Sequence, residues 1–185
     1  MPPSGRKQGW KLVLLGALVV ATLVVIFFFR PIVFAIHDGL RDYAAYRYVH
    51  HLQEVDEIEI CSLGLEASPS ATDVFAYADN YGVVGRSTVR AADAAEIVAL
   101  WRSLPTGEHR AMCLEPAYGL RFRHKGREVL KTSVCWDCEG LVAPTLIGGS
   151  IICGFDAHSE PAQKLLGVLE KHVPLPPSRI HGAPE

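Results

Sequence analysis

Hydrophobic and polar positions divide the chain into one long apolar stretch and a remainder in which the two kinds of position alternate. Residues Leu12–Phe29 are eighteen consecutive positions without a charge, and all but Gly16 and Thr22 are apolar. As an α-helix this stretch would be roughly 27 Å long, close to the thickness of a bilayer's hydrocarbon core. The pattern predicts a transmembrane helix over residues 12–36, in contact with lipid through Leu12–Phe29, after a short tail of residues 1–11.

Two other interpretations of the apolar stretch fit less well. A core helix in a small domain is seldom apolar on every face. A cleaved signal peptide would use the small residues Val33 and Ala35, but its apolar core is shorter than this one, and here Arg30 follows. We therefore predict an uncleaved signal anchor. A short tail inside and a translocated domain are the usual arrangement, which places the domain on the exoplasmic (periplasmic) side of the cell membrane.

A second helical pattern follows the apolar stretch. In residues 37–54, Ala45, Val49 and Leu52 recur at helical spacing after Asp38, a residue suited to an N-cap. We predict a short amphipathic connector there, between the transmembrane helix and a folded domain over residues 55–173.

The domain alternates period-two and helical patterns, separated by Gly, Pro, Ser and Asn. The predicted strands are 57–63, 73–78, 83–89, 118–123, a partner strand that ends at Trp136, and 150–155, and the predicted helices are 93–104 and 160–173. Asp93 with Glu96 predicts a capping box for the first helix, and Ser159 predicts the cap of the second. This order predicts an α+β fold with a mainly antiparallel sheet covered by two helices and preceded by one N-terminal transmembrane helix. Residues 174–185 are rich in proline, which predicts a disordered tail.

The hairpin after Phe122 has a register requirement. Phe122 before the turn and Leu130 after it must face the same core, and a slip of one residue would turn one of them to the other side. A loop with an odd number of residues satisfies this requirement. We predict a loop of Lys125, Gly126 and Arg127.

Composition and charge exclude some functions. The 185 residues carry a formal net charge of -2, which leaves no basic surplus for phosphates and predicts no nucleic-acid partner. The sequence contains no glycine-rich phosphate loop, no G-x-S-x-G elbow and no H-E-x-x-H. No cofactor and no catalytic residue is predicted, and a non-enzymatic role is favoured.

Cysteine spacing raises three alternatives. Cys135 and Cys138 form a C-x-x-C pair, which serves dithiol exchange, zinc binding or a structural disulfide. Dithiol exchange is disfavoured because Cys135 ends a predicted strand, whereas a reactive thiol of that kind begins a helix. Zinc requires four ligands, and Cys113 with His109 or His124 would have to complete the set.

Oxidation is the simpler fate of these thiols on the exoplasmic side. The hairpin brings Cys113 near the turn that carries Cys138, so we predict a disulfide from Cys113 to either Cys135 or Cys138. The spacing does not choose between the two pairings. No metal ligand is assigned, and Cys153 is predicted to be a buried thiol.

Four basic residues are predicted to share the hairpin face opposite the apolar one, namely Arg121, Arg123, Lys125 and Lys131. They form a candidate anion-binding face for a headgroup, peptide or polymer. A charged sheet face that only keeps the domain soluble produces the same pattern.

The strand pair and its cysteines resemble a group of uncharacterised bacterial proteins. The resemblance covers Ile97 to Val173 and implies this strand pair, but it implies no activity. The matching positions are Cys113, Pro116, Tyr118 to Phe122, Ser133, Cys135, Trp136, Cys138 and Gly154 to Asp156.

Taken together, these patterns predict a single-pass envelope protein whose tethered domain has a non-catalytic binding or structural role, with an envelope protein as its partner. The alternative function is a thiol-redox or zinc-binding protein that uses Cys113, Cys135 and Cys138. A third hypothesis is an anion-binding surface on the hairpin.

Overall fold

The computed structural model describes residues 6–65, 67–68, 74–107, 115–146 and 148–175. The chain divides into two compact units between Gly39 and Leu40. Its elements are α1 (Arg6–Ala45), a π-helical turn (Tyr46–His50), β1 (Glu57–Gly64), β2 (Gly82–Arg90), α2 (Ala91–Arg102), β3 (Tyr118–His124), β4 (Arg127–Cys135), β5 (Gly140–Pro144), β6 (Ser150–Gly154) and α3 (Glu160–His172). The predicted α+β class is confirmed. Most of the predicted tail, residues 176–185, lies outside the described residues.

Helix α1 is long and apolar. Within the part of the chain that the structure describes, it is the one helix with the length and hydropathy to cross a membrane, and none of its most apolar window is buried. This exposure excludes the interpretation as a core helix. The helix runs past Pro31 and continues to Ala45 without a break. Asp38 therefore lies inside the helix, and the prediction that it caps a separate connector is wrong.

The sheet has six strands in the order β2-β1-β3-β4-β5-β6, and every neighbouring pair is antiparallel. Strand β5 was not predicted, because a segment of five residues that begins with Gly140 and ends with Pro144 has no clear periodicity. The predicted strand 73–78 is wrong over its described residues, since 74–81 form turns. These turns lie across the sheet instead of pairing with its edge, because Ser133 Oγ donates a hydrogen bond to Ala76 O at 2.7 Å.

The hairpin between β3 and β4 meets its register requirement in an unexpected way. Its turn contains two residues, Lys125 and Gly126, with φ of 50° and 76°. Positive φ at both positions is typical of the tight turn that suits the twist of two strands. A bulge then adds Val129 to β4, which sets Phe122 opposite Leu130. The predicted three-residue loop is wrong, whereas the predicted alignment of the two apolar residues is confirmed.

One face of the sheet packs on both α2 and α3. Side chains alternate between the faces of a strand, so Ile58 and Ile60 point to this face together with Leu120 and Phe122. The helices contribute Ala94, Ile97, Val98, Trp101, Ala162, Leu165 and Leu169 to the same core. Leu165 and Leu169 of α3 are fully buried in this core, and Leu166 is partly buried.

The helix caps differ from the predicted ones. Helix α2 begins after Arg90, which lies in extended conformation and makes no side-chain capping hydrogen bond, so the predicted capping box of Asp93 and Glu96 is wrong. Ser159 does occupy the N-cap position of α3. Its hydroxyl donates to Asp156 O at 2.6 Å instead of accepting from a helix N–H, so it stabilises the preceding turn.

Candidate functional site

The sheet face opposite the helices carries charged side chains. Because Ile58 and Ile60 point to the core, Glu57 and Glu59 on β1 point to the other side. The antiparallel register places arginines beside them on both neighbouring strands. We call the following residues the charged face: Glu57, Glu59, Arg86, Arg90, Arg121, Arg123 and Lys131.

Glu59 is the centre of this face. It is only 4% exposed, and a carboxylate that is removed from water needs partners. Its Oε2 lies 2.8 Å from Arg123 Nη2 and 3.6 Å from Arg121 Nη1, and its Oε1 lies 3.0 Å from Arg86 Nη1. Three guanidinium groups from two neighbouring strands therefore compensate one buried charge.

Arg123 links the two glutamates. Its Nη1 lies 2.9 Å from Glu57 Oε1, while its Nη2 reaches Glu59. Arg90 donates from Nε to Glu57 Oε2 at 2.8 Å. The hydrogen bond from Arg90 is the largest cause that lowers the pKa of the Glu57 carboxyl, and the hydrogen bond to Glu57 raises the pKa of Arg123. Both carboxylates belong to one connected network with the arginines.

The charged face is most accessible at its edge. The side chains of Arg90 and Arg86 are 71% and 44% exposed, whereas that of Arg121 is 10% exposed. Arg86 and Arg90 both lie on β2, which is the terminal strand of the sheet. Of the seven side chains five are cations and two are anions, and the two arginines at this edge are the cations most exposed to solvent.

A second, smaller apolar cluster packs on the same side of the sheet as the charged face. It consists of Cys61, Leu63, Phe75 and Ala78. Phe75 lies directly above Gly119, where an added Cβ would be 2.5 Å from the ring. The guanidinium carbon of Arg121 lies 5.3 Å from the centre of this ring, and Lys131 Nζ lies 4.9 Å from it. Glycine at position 119 thus lets the 74–81 segment reach the sheet and hold two of the cations.

The four predicted basic residues separate into two groups. Arg121, Arg123 and Lys131 lie on the charged face. Lys125 lies in the turn, where its backbone N–H donates to Asp56 Oδ2 at 2.7 Å.

Sequence reasoning missed the acidic half of this site. The signal was present in the alternation of Glu57 and Glu59 with buried isoleucines and in the even spacing of Arg86 and Arg90. The position of β1 between β2 and β3 could not be predicted from the sequence. That neighbourhood places both glutamates within reach of the arginines.

The C-x-x-C pair forms the turn between β4 and β5. Both Cys135 and Cys138 are buried, and the Cys138 N–H donates to Cys135 Sγ at 3.3 Å. No disulfide joins any two of Cys61, Cys135, Cys138 and Cys153, the cysteines within the described ranges. The predicted partner Cys113 lies outside the described residues, so its disulfide stays a prediction.

The other predicted thiol and zinc residues lie apart. His109 lies outside the described residues. His124 faces carboxylates, with Nε2 3.8 Å from Glu54 Oε2 and Nδ1 3.8 Å from Asp56 Oδ2. The described part of the chain contains no group of three or more side chains arranged to hold a metal ion. Cys153 is buried as predicted, and its Sγ donates to Arg41 O at 3.7 Å.

No protein-family model, curated protein or solved structure matches the chain. Functional inference therefore depends on the side-chain geometry alone.

Proposed function

We propose that this chain is a single-pass signal-anchored protein of the cell membrane, with its domain on the exoplasmic (periplasmic) side. The domain acts by binding, and its partner is an envelope protein that presents an acidic segment. The anchor is supported by α1, whose apolar side chains Leu18, Phe27 and Phe34 are more than half exposed in water but would be favourably placed in lipid.

One observation carries the binding role: exposed guanidinium groups line the terminal strand of the sheet. Arg86 and Arg90 flank Thr88 on the outward side of β2. Terminal strands offer backbone hydrogen bonds to an added strand, and side chains at alternate positions select its sequence. Guanidinium groups at these positions favour carboxylates by charge complementarity.

The binding role is tested by photocrosslinking in intact cells. A photoreactive residue at Thr88 lies between the two arginines, and one at Lys171, exposed on α3, is the matched control. We expect an adduct from Thr88 that the double variant Arg86→Gln, Arg90→Gln reduces at least about tenfold. Arg127→Gln, at the start of β4, should leave it unchanged.

Three outcomes would overturn the binding role. The first is an adduct from Thr88 no stronger than from Lys171, and the second is an adduct that survives loss of both arginines. The third is a captured protein without an acidic segment at the crosslinked position. Unfolding temperatures of the variants, measured beside the adducts, separate a lost contact from a lost fold.

The topology is tested by reporter fusions after Glu185. A reporter that works only in the cytoplasm should be inactive there, and one that works only in the periplasm should be active, because the proposed topology translocates the domain. The opposite pair of activities reverses the orientation. Release of a shortened chain into the periplasm would replace the anchor by a cleaved signal peptide.

The alternative function is a thiol or zinc site that combines Cys113 with Cys135 and Cys138. Burial of both thiols of the C-x-x-C pair disfavours exchange with an external substrate, because reactive cysteines are accessible. Thiol counting on denatured protein and a zinc assay of the native form decide the matter. Stoichiometric zinc, or a disulfide that external thiols exchange readily, would favour this alternative over the binding role.

A further inference from the structure

A cleft of about 470 Å³ lies beside the π-helical turn, within the unit that begins at Leu40. Its volume falls in the range of small-molecule sites, about 300–1,000 Å³. Among the side chains that line it are Tyr43, Tyr46, Arg47, Tyr48, His51 and Glu128. Three tyrosines, one guanidinium and one carboxylate therefore meet in one concave surface.

The π-helical turn brings these side chains together. The His51 N–H donates to Tyr46 O at 2.9 Å, which closes a wider turn than an α-helix allows. The rings of Tyr46 and His51, five positions apart, consequently lie 4.1 Å from each other. Turns of this kind are rare. They occur often at functional sites, where the extra residue changes the direction of the neighbouring side chains.

Arg47 brings a positive charge to the cleft. Its guanidinium carbon lies 5.5 Å from the centre of the Tyr48 ring. A hydrogen bond with Tyr43 is the largest cause that raises the pKa of Arg47. A guanidinium with tyrosine side chains beside it is suited to a phosphate.

Glu128 gives the same cleft a negative charge. A carboxylate and tyrosine rings together attract an ammonium group. The lining therefore combines an anion site and a cation site, which favours a ligand that carries both charges over a simple anion.

We propose that the cleft binds the headgroup of phosphatidylethanolamine, with its phosphate on Arg47 and its ammonium on Glu128. The assignment of this headgroup to a membrane lipid rests on the proposed membrane anchor. Tyr43 lies only seven positions after Ile36, the end of the predicted transmembrane segment, so their Cα atoms are no more than about 25 Å apart. Tethering at that range gives membrane headgroups a high effective concentration at the cleft.

The first experiment uses soluble headgroups, so that its result does not depend on membrane insertion. The full chain in a phosphate-free detergent is titrated with glycerophosphoethanolamine by calorimetry, up to about 10 mM, where a site of about 1 mM affinity is nearly saturated. We expect saturable binding that Arg47→Gln weakens about tenfold. Arg127→Gln is the control and should bind like the unaltered chain.

Glu128 is tested by changing the ligand as well as the residue. Glu128→Gln should weaken glycerophosphoethanolamine at least about fivefold and should not weaken glycerophosphoglycerol, which has no ammonium. Glu170→Gln, on α3, is the matched control. Absence of saturable binding overturns the proposal. So does equal weakening of both ligands by Glu128→Gln, because the carboxylate would then have no role in recognising the ammonium.

The second experiment identifies the source of the headgroup. The full chain is placed in nanodiscs that contain equal amounts of phosphatidylethanolamine and phosphatidylglycerol, and the lipids retained after detergent extraction are counted by native mass spectrometry. We expect an excess of phosphatidylethanolamine that Glu128→Gln removes. Binding of the soluble headgroup without this excess would overturn the lipid assignment in favour of a free metabolite, and it would leave the anchor itself untouched.

Discussion

Glu59 Oε2 lies 2.8 Å from Arg123 Nη2 on the open face of the sheet, although Glu59 is almost fully removed from water. This ion pair changes the interpretation of the basic residues on the hairpin. Arg121 and Arg123 do not form a free anion site, because Glu59 already compensates both of them. The more exposed cations lie one strand further out: Arg86 and Arg90 contact Glu59 and Glu57, but 44% and 71% of their side chains remain exposed.

Replacing Glu59 should destabilise the domain. Glu59→Gln removes the buried carboxylate that Arg86, Arg121 and Arg123 share, and we expect a loss of about 2–3 kcal/mol in the free energy of unfolding. Glu57→Gln is the matched control. Because the Glu57 side chain is more exposed, this substitution should lower the free energy of unfolding by about 1 kcal/mol or less. Urea unfolding followed by tryptophan fluorescence measures both. Equal losses would show that burial of Glu59 has no energetic consequence.

Two glycine substitutions should act in opposite directions. Gly119→Ala places a Cβ 2.5 Å from the Phe75 ring and should destabilise the domain by about 1–3 kcal/mol, because the ring and its segment must move. Gly167→Ala, inside α3 with nothing within 4 Å of its added Cβ, should stabilise it by about 0.5–1 kcal/mol. Melting temperatures of both variants provide the check. A stable Gly119→Ala variant would contradict the packing of Phe75 on the sheet.

The Cys153 thiol should make stability depend on pH in the alkaline range. Burial raises the pKa of this thiol from 9.0 to about 11. Since the folded pKa is the higher one, its contribution to stability is complete below pH 9 and is lost as the pH rises through 11. The free energy of unfolding of the unaltered chain should therefore fall more steeply over this window than that of Cys153→Ala. If the free energies of unfolding of the two proteins changed equally with pH, the raised pKa of Cys153 would be contradicted.

The hydroxyl of Tyr118 should contribute measurably to stability. It donates to Val173 O at 2.7 Å in a buried position, and burial raises the pKa of the phenol above its usual value. Tyr118→Phe leaves that carbonyl without a donor and should cost about 1–2 kcal/mol. Tyr77→Phe is the control, because its exposed hydroxyl lies 3.5 Å from Ser150 O and should contribute less than about 0.5 kcal/mol. Denaturant titration distinguishes the two variants.

Elements with strong periodicity could be predicted from the sequence. A period-two pattern predicted β1 over residues 57–63, and a helical pattern predicted α3 over residues 160–173. Local rules failed where a tertiary contact decided the structure. The segment after Val74 has strand-forming residues, but its Phe75 packs on Gly119, and only the folded sheet makes that position available.

The charged face was only half predictable for the same reason. Arg121 and Arg123 alternate on β3 and were found, whereas Glu59 is more than sixty positions away along the chain. Its pairing with Arg123 depends on β1 lying next to β3, and strand order is not encoded in any local window. The Arg47 cleft was missed because it requires a π-helical turn, for which the sequence carries no clear signal.

The proposed anchor, the exoplasmic location of the domain and the lipid ligand of the cleft all depend on membrane insertion of Leu12–Phe29. Extraction of membranes with alkaline carbonate tests it most directly, because this treatment removes peripheral proteins and leaves inserted helices in the bilayer. The account predicts that the full-length chain stays in the membrane pellet. Recovery of the uncleaved chain in the carbonate supernatant would contradict it.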